Sequence, residues 1–244
     1  MNLLLLAPSE ISPEGEVELT DPRAKHLLSV LKVKAGSVVR AGVLDGPIGS
    51  ARVEGVEGDR VRLSVALEGA PPPRPAIDLL LALPRPKVLK RLWAQLAALG
   101  VGTVVLTNAA KVERFYFDSH VVREDELRPY LLEGLAQAKD TRVPIVRVAK
   151  TLKPLVEDEL DATFGQARRL LADPIYDRSM IDAAPGAERV VLALGPEGGW
   201  SEYERALLER HGFEGVGLGP RTLRSDTAAI SLVALAHEAL RMRA

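Results

Sequence analysis

Cysteine is absent from the 244 residues, which excludes disulfides, thiolate metal sites and cysteine nucleophiles. Histidine is scarce. His26, His120, His211 and His237 show no H-x-x-x-H spacing, so no metal site is expected. Aromatic residues make up only 4%, leaving alanine, leucine, valine and glycine to build the core. A formal net charge of -1 argues against a general polyanion binder. No apolar run approaches membrane-spanning length, and the run at residues 3–7 is too short for a signal peptide and lacks a basic lead-in. A cytoplasmic protein with no membrane partner is expected. Asparagine occurs only at Asn2 and Asn108 while proline and arginine are plentiful, a bias shared by thermophiles and GC-rich genomes.

The length suits one large or two modest domains. Asp21-Pro22 reads as a helix start, a capping carboxylate followed by proline at the first helical position. Ala24, Leu27, Leu28 and Leu31 then share one face, and Gly36 stops the run. Residues 38–44, 48–56 and 60–67 read as strands separated by the turns Asp45-Gly46-Pro47 and Glu57-Gly58-Asp59. A helix on a small antiparallel sheet or barrel is expected over 1–70, followed by a stiff proline-rich linker at 71–75. Over 76–244 the texture changes. Candidate strands at 77–83, 103–106, 143–148, 169–172 and 190–194 alternate with helices at 88–99 and 127–139. That alternation predicts an α/β domain with a mostly parallel sheet and helices on both faces.

Two related loops stand out in the last third. Leu194-Gly195-Pro196-Glu197-Gly198-Gly199-Trp200-Ser201 and Leu218-Gly219-Pro220-Arg221-Thr222-Leu223-Arg224-Ser225 each follow a short apolar strand and precede a helix. Ser201 with Glu204 forms an S-x-x-E capping box, and Ser225 or Thr227 is expected to cap the last helix. In a parallel sheet both loops fall at the carboxyl ends of their strands, where open α/β sheets bind ligands. Glycine lets a backbone approach a ligand without an intervening Cβ, and proline fixes the turn. The alternative is a pair of tight connections serving topology alone. Neither loop has the G-x-G-x-x-G spacing of a Rossmann site or the G-K-[ST] of a phosphate loop.

Positive charge is clustered. Residues 23–40 contain Arg23, Lys25, His26, Lys32, Lys34 and Arg40 and no acid. Arg85, Lys87, Lys90 and Arg91 form a second group, and Arg221 with Arg224 a third. Such patches hold nucleic-acid phosphates or stand as solvated faces balanced elsewhere.

The two loops, with Asp226-Thr227-Ala228 after the second, closely resemble the RsmE family, whose pattern is G-P-E-G-G-[FW]-[ST] followed by L-G-x-R-I-L-R-x-E-T-A. The first motif matches fully. The second has Thr222 for isoleucine and Asp226 for glutamate, and Gln95-Leu96-Ala97-Ala98-Leu99-Gly100 replaces a usual K-A-T-E-L-G. The resemblance implies a PUA-like β-barrel RNA-binding domain over 1–70 and a SPOUT methyltransferase domain with a C-terminal trefoil knot over 76–244. It also implies S-adenosylmethionine as cofactor, methylation of N3 of a uridine in 16S ribosomal RNA, and a homodimer. Carried over by position, the cofactor residues are Leu171, Leu194, Gly195, Pro196, Glu197, Gly198, Gly199, Leu218, Gly219 and Leu223, with the strand end Leu171-Ala172-Asp173 as a third wall. From the clustered positive charge, the expected RNA contacts are Arg23, Lys25, His26, Lys32, Lys34, Arg85, Lys87 and Arg221, on 16S rRNA or the small ribosomal subunit.

A uracil N3–H is a weak acid, so the site needs a base, or cations that stabilise the anion. Arg224 is the expected anion stabiliser, supported by Arg221, and Asp226 and Glu197 are the carboxylates able to take a proton. First-turn helix stabilisation is the competing role for Asp226. Two other functions fit the same residues: methylation of a ribose 2′-OH or another base, and a non-catalytic RNA-binding or ribosome-assembly protein.

Overall fold

The computed structural model describes residues 2–242. It divides into two compact units: the chain up to Arg74 with Leu132–Val143, and Pro75–Leu131 with Pro144 onward.

The first unit is a five-stranded sheet of β1 (Leu4–Leu6), β2 (Glu16–Leu19), β3 (Val38–Val43), β4 (Ile48–Glu57) and β5 (Arg60–Glu68), in the order β1-β3-β4-β5-β2. Only the β1–β3 pairing is parallel. β1 and β2 were not evident in the sequence. Helix α1 (Pro22–Ser29) starts as expected, with Asp21 accepting the Arg23 N–H at 2.8 Å. It ends well before Gly36, so Leu31 lies off its buried face and is 44% exposed. Ala24 and Leu27 pack with Leu4, Leu6, Val17, Leu19, Val53 and Leu63 in one apolar core.

The second unit follows the expected alternation. Its elements are β6 (Ile77–Ala82), α2 (Pro86–Ala98), β7 (Val101–Thr107), α3 (Glu124–Ala138), β8 (Ile145–Ala149), α4 (Leu152–Pro154), α5 (Leu160–Phe164), β9 (Arg168–Ala172), α6 (Met180–Ala183), β10 (Val190–Leu194), α7 (Glu202–Arg210), β11 (Glu214–Val216) and α8 (Ser225–Arg241). The last residues of α3 belong to the first unit. The sheet order is β11-β9-β10-β6-β7-β8, with every pairing parallel. β6 and β10 are buried throughout, which is why β10 reads as an unbroken apolar run and β6 as one interrupted only by Asp78. α8 packs on α2, α6, β6 and β10, and α7 lies against β9.

One buried charge fixes the start of β6. Asp78 is fully buried and held by Arg189 through Nε at 2.6 Å and Nη2 at 2.9 Å, while it also accepts the Thr103 N–H at 2.7 Å. A side chain at position 102 would press on that carboxylate, which accounts for Gly102. Among the described residues no helix is long and apolar enough to cross a membrane.

Candidate functional site

Three loops converge at the carboxyl ends of β9, β10 and β11. The first begins where β10 stops at Leu194. A Cβ at Gly195 would stand 3.1 Å from Trp200 Cδ1 and 3.2 Å from Trp200 N, so glycine gives the bend its closest fit to Trp200. Gly199 adopts φ 70°, the left-handed region, and its N–H meets Pro196 O at 2.8 Å. The capping box is formed: Ser201 Oγ accepts the Glu204 N–H at 3.3 Å, and Glu204 Oε2 accepts from Ser201 N and Oγ, both at 2.8 Å.

Glu204 does more than cap. Its Oε1 accepts the Ala110 N–H at 2.6 Å, hooking the glycine loop to the segment after β7. Lys111 adds a second tie, Nζ to Gly198 O at 2.6 Å. The sequence shows only the local half of this arrangement, because Ala110 is remote in the chain.

The second loop leaves β11 at Val216. A Cβ at Gly217 would overlap the Tyr176 carbonyl oxygen, and one at Gly215 the Tyr176 ring. Only glycine passes there. Tyr176 is fixed in turn by its hydroxyl on Glu209 Oε1 at 2.6 Å, and burial together with that carboxylate pushes the phenol pKa up. The third loop is held by Asp173 N–H on Val216 O at 3.1 Å. Asp173 itself is buried, with Oδ2 3.6 Å from Arg205 Nη1.

Between these loops lies a cleft of about 380 Å³, within the range of small-molecule sites. Leu194, Gly195, Pro196, Glu197, Gly198, Gly199, Leu218, Gly219 and Leu223 all line it, and so does Arg221, which was expected on RNA. Leu171 does not. It points into the sheet core with no exposed surface, and the wall is made by Ala172, Asp173, Pro174 and Ile175. Trp200 lines the cleft too, and its buried Nε1 has no hydrogen-bond partner among the described residues. Asn108 Oδ1, at the end of β7, is orphaned too. Apolar walls, close glycine backbone and an unsatisfied indole N–H suit a compact ligand with both apolar and polar parts.

A second, larger groove of about 810 Å³ runs beside it, along the start of α2, the turn Arg114–Asp118 and the start of α8. Arg85, Lys87, Arg91 and Arg224 line it with Phe115 and Tyr116. Glu197 and Ser225 line both spaces. Glu197 Oε1 accepts the Arg85 N–H at 3.1 Å and faces Ser225 Oγ at 3.4 Å, while its Oε2 has no partner among the described residues. Ser225 is therefore not the cap of α8. It is the first helical residue, and Arg224 occupies the cap position without a side-chain bond. Asp226 lines neither space: its Oδ2 is 3.0 Å from Arg91 Nη2, and its Oδ1 accepts the Thr227 N–H at 2.9 Å.

In the first unit, Lys25, Lys32 and Lys34 are exposed and His26 is half-buried. Arg23 is otherwise engaged. Its guanidinium reaches Leu5 O at 2.8 Å, Asp21 Oδ2 at 2.6 Å and both oxygens of Glu10. The hydrogen bonds from Arg23 hold Glu10 below the usual carboxylate range. Burial alone would raise Asp21, but Arg23 outweighs it and Asp21 is also lowered. Among the described residues no group of His, Asp or Glu is placed to hold a metal.

Residues 71–237 match the RNA methyltransferase domain family. Ribosomal RNA small subunit methyltransferase E of Treponema pallidum is 30% identical over 96% of this chain and 90% of that protein. Ribosomal RNA small subunit methyltransferase E 1 of Borreliella burgdorferi is 25% identical over 95% of each. In fold, the chain aligns with ribosomal RNA small subunit methyltransferase E of Neisseria gonorrhoeae, solved bound to S-adenosyl methionine, with TM-score 0.78, 21% identity and coverage of 98% of this chain and 97% of that one. The family match over most of the chain and the 30% identical relative place this chain in the RNA methyltransferase family, among the ribosomal RNA small subunit methyltransferases E.

Proposed function

We propose that the chain is an S-adenosylmethionine-dependent methyltransferase that methylates N3 of a uridine in 16S ribosomal RNA. The observation that carries this is the cleft of three loops at adjacent parallel strand ends, glycine-lined and apolar-walled, with the orphaned Trp200 N–H beside it. Leu194, Gly195, Pro196, Glu197, Gly198, Gly199, Leu218, Gly219 and Leu223 would hold the cofactor, with Ala172 in the wall position first given to Leu171. Bound there, S-adenosylmethionine supplies an electrophilic methyl group on a sulfonium.

The chain's own residues then have two tasks. They align the base, which supplies much of the rate in an in-line displacement, and they remove the N3 proton. Arg224, in the adjoining groove, stabilises the uracil anion, with Arg221 in support. Of the two carboxylates, Glu197 stands on the wall between the two spaces with one oxygen unengaged, so the proton is assigned to it. Asp226 is the second candidate, and its bond to Arg91 gives it a positioning role.

The proposal extends to the partners. Lys25, His26, Lys32 and Lys34 of a PUA-like first unit contact RNA, as do Arg85, Lys87 and Arg221, and Arg23 braces the fold on which the first four stand. The active form is a homodimer, on family likeness. The second unit carries a C-terminal trefoil knot; support comes from β11 pairing beside β9 and from the glycine-only crossing of Gly217 over Tyr176. The protein is assigned to the cytoplasm.

The test is incubation with methyl-labelled cofactor and unmodified small subunits or 16S RNA, followed by nucleoside mass analysis. The expected product is 3-methyluridine. A 2′-O-methyl nucleoside would move the chemistry to ribose, and no labelled nucleoside on either substrate would contradict the assignment.

A further inference from the structure

Phe115 is the most exposed large apolar side chain among those described, at 63%. It belongs to a chain with few aromatics, and burying a phenylalanine normally stabilises a fold. Its ring is nonetheless held in place, edge-on to Tyr116 at 4.9 Å and 83°. The surroundings are cationic. Arg85, Lys87 and Arg224 share its groove and have no acidic partner among the described residues, while Arg91 is held by Asp226. Cations alone would suit any anion. An exposed, braced aromatic among them suits a nucleic-acid strand whose bases are free to stack.

We propose that this groove takes a single unpaired nucleotide of RNA, its base stacked on Phe115 and its flanking phosphates on Arg85 and Lys87, with Arg224 left to face the base. The inference rests on the methyltransferase reading for its purpose: Glu197 and Ser225 form the common wall, so a base on Phe115 lies next to the cleft that would hold the methyl donor. The phosphate contacts give affinity without sequence, and the stack selects a base already out of a helix. A second copy of the chain is the rival occupant, but three unpaired cations favour the polyanion.

The test measures RNA binding without cofactor, using a single-stranded fragment of small-subunit RNA and full-length protein. Phe115→Ala is expected to weaken binding about 5- to 100-fold, the range of one lost base stack. Phe115→Tyr should restore it, with melting temperature and S-adenosylmethionine affinity unchanged in both. Unchanged RNA affinity in Phe115→Ala overturns the proposal. So does a loss accompanied by conversion of a dimer to monomer in light scattering, which would give the ring to a second copy. Wild-type protein that shows this Phe115 dependence yet transfers no methyl group would uphold the groove and defeat the methyltransferase reading.

Discussion

Replacing Glu204 with alanine tests how the first glycine loop is held. The side chain is 6% exposed and its two oxygens accept three hydrogen bonds, from Ser201 N, Ser201 Oγ and Ala110 N. Losing the reciprocal half of a capping box costs about 1 kcal/mol. The Ala110 N–H loses a part-buried hydrogen bond to a charged acceptor, which adds about 1.5–3 kcal/mol. The sum is about 2.5–4 kcal/mol, which in a chain of this size lowers the melting temperature by about 5–15 °C. Function should suffer beyond stability, because residues 195–200 lose one of their two ties to the segment after β7. About a tenfold loss of S-adenosylmethionine affinity is expected well below the melting temperature. Glu202→Ala is the control: Glu202 is exposed in the same first turn with no bonded partner among the described residues, so only its dipole term of about 0.3–1 kcal/mol is lost. Differential scanning calorimetry and titration calorimetry on both variants give the comparison. If Glu204→Ala melts within the range of Glu202→Ala, the carboxylate does not hook the loop and the reasoning is wrong.

Gly217→Ala should be far more damaging than Gly219→Ala. The first would force a Cβ into a backbone carbonyl, costing about 3 kcal/mol or more, whereas the second meets open space and costs about 1–2 kcal/mol for its left-handed φ of 85°; equal melting temperatures would dismiss the crossing. Single-turnover methylation separates the two carboxylates. Glu197→Gln should slow it at least tenfold and Asp226→Asn only a few-fold, and the reverse order would return the proton to Asp226. Arg23→Ala should remove about 1 kcal/mol at neutral pH, after allowance for solvent screening. Because Glu10 and Asp21 are both lowered in the fold, their contribution is present above the ordinary carboxylate range of about 4 and is lost as pH falls through their folded values. Urea titrations of wild type and variant should therefore converge in acid; a constant gap would rule out the charge network.

Local signals were legible in the sequence. Ser201-x-x-Glu204 and Asp21-Pro22 set two helix starts within four residues, and Val190–Leu194 is a strand as its unbroken apolar run implies. The convergence of the paired glycine loops on one cleft was legible because a parallel sheet brings its carboxyl ends together. What escaped depends on partners remote in the chain. Glu204 reaches Ala110, Asp226 reaches Arg91, and Ser225 turns to Glu197 rather than capping its helix. Leu171 was a matter of parity, since adjacent strand residues face opposite sides and the wall begins one residue later, at Ala172. The Leu4–Leu6 strand is too short to be told from any apolar run, and it is fixed by parallel pairing with Ala41–Val43. The grouping of Leu132–Val143 with the first unit has no sequence mark at all.

Hydrogen–deuterium exchange with and without S-adenosylmethionine tests most directly whether the loop-walled cleft is the methyl-donor site. Slowed exchange should appear together in the peptides covering 172–176, 194–201 and 216–225, which wall the cleft, with little change in the first unit. Binding that leaves those three segments unprotected, or protects a surface elsewhere, would contradict it.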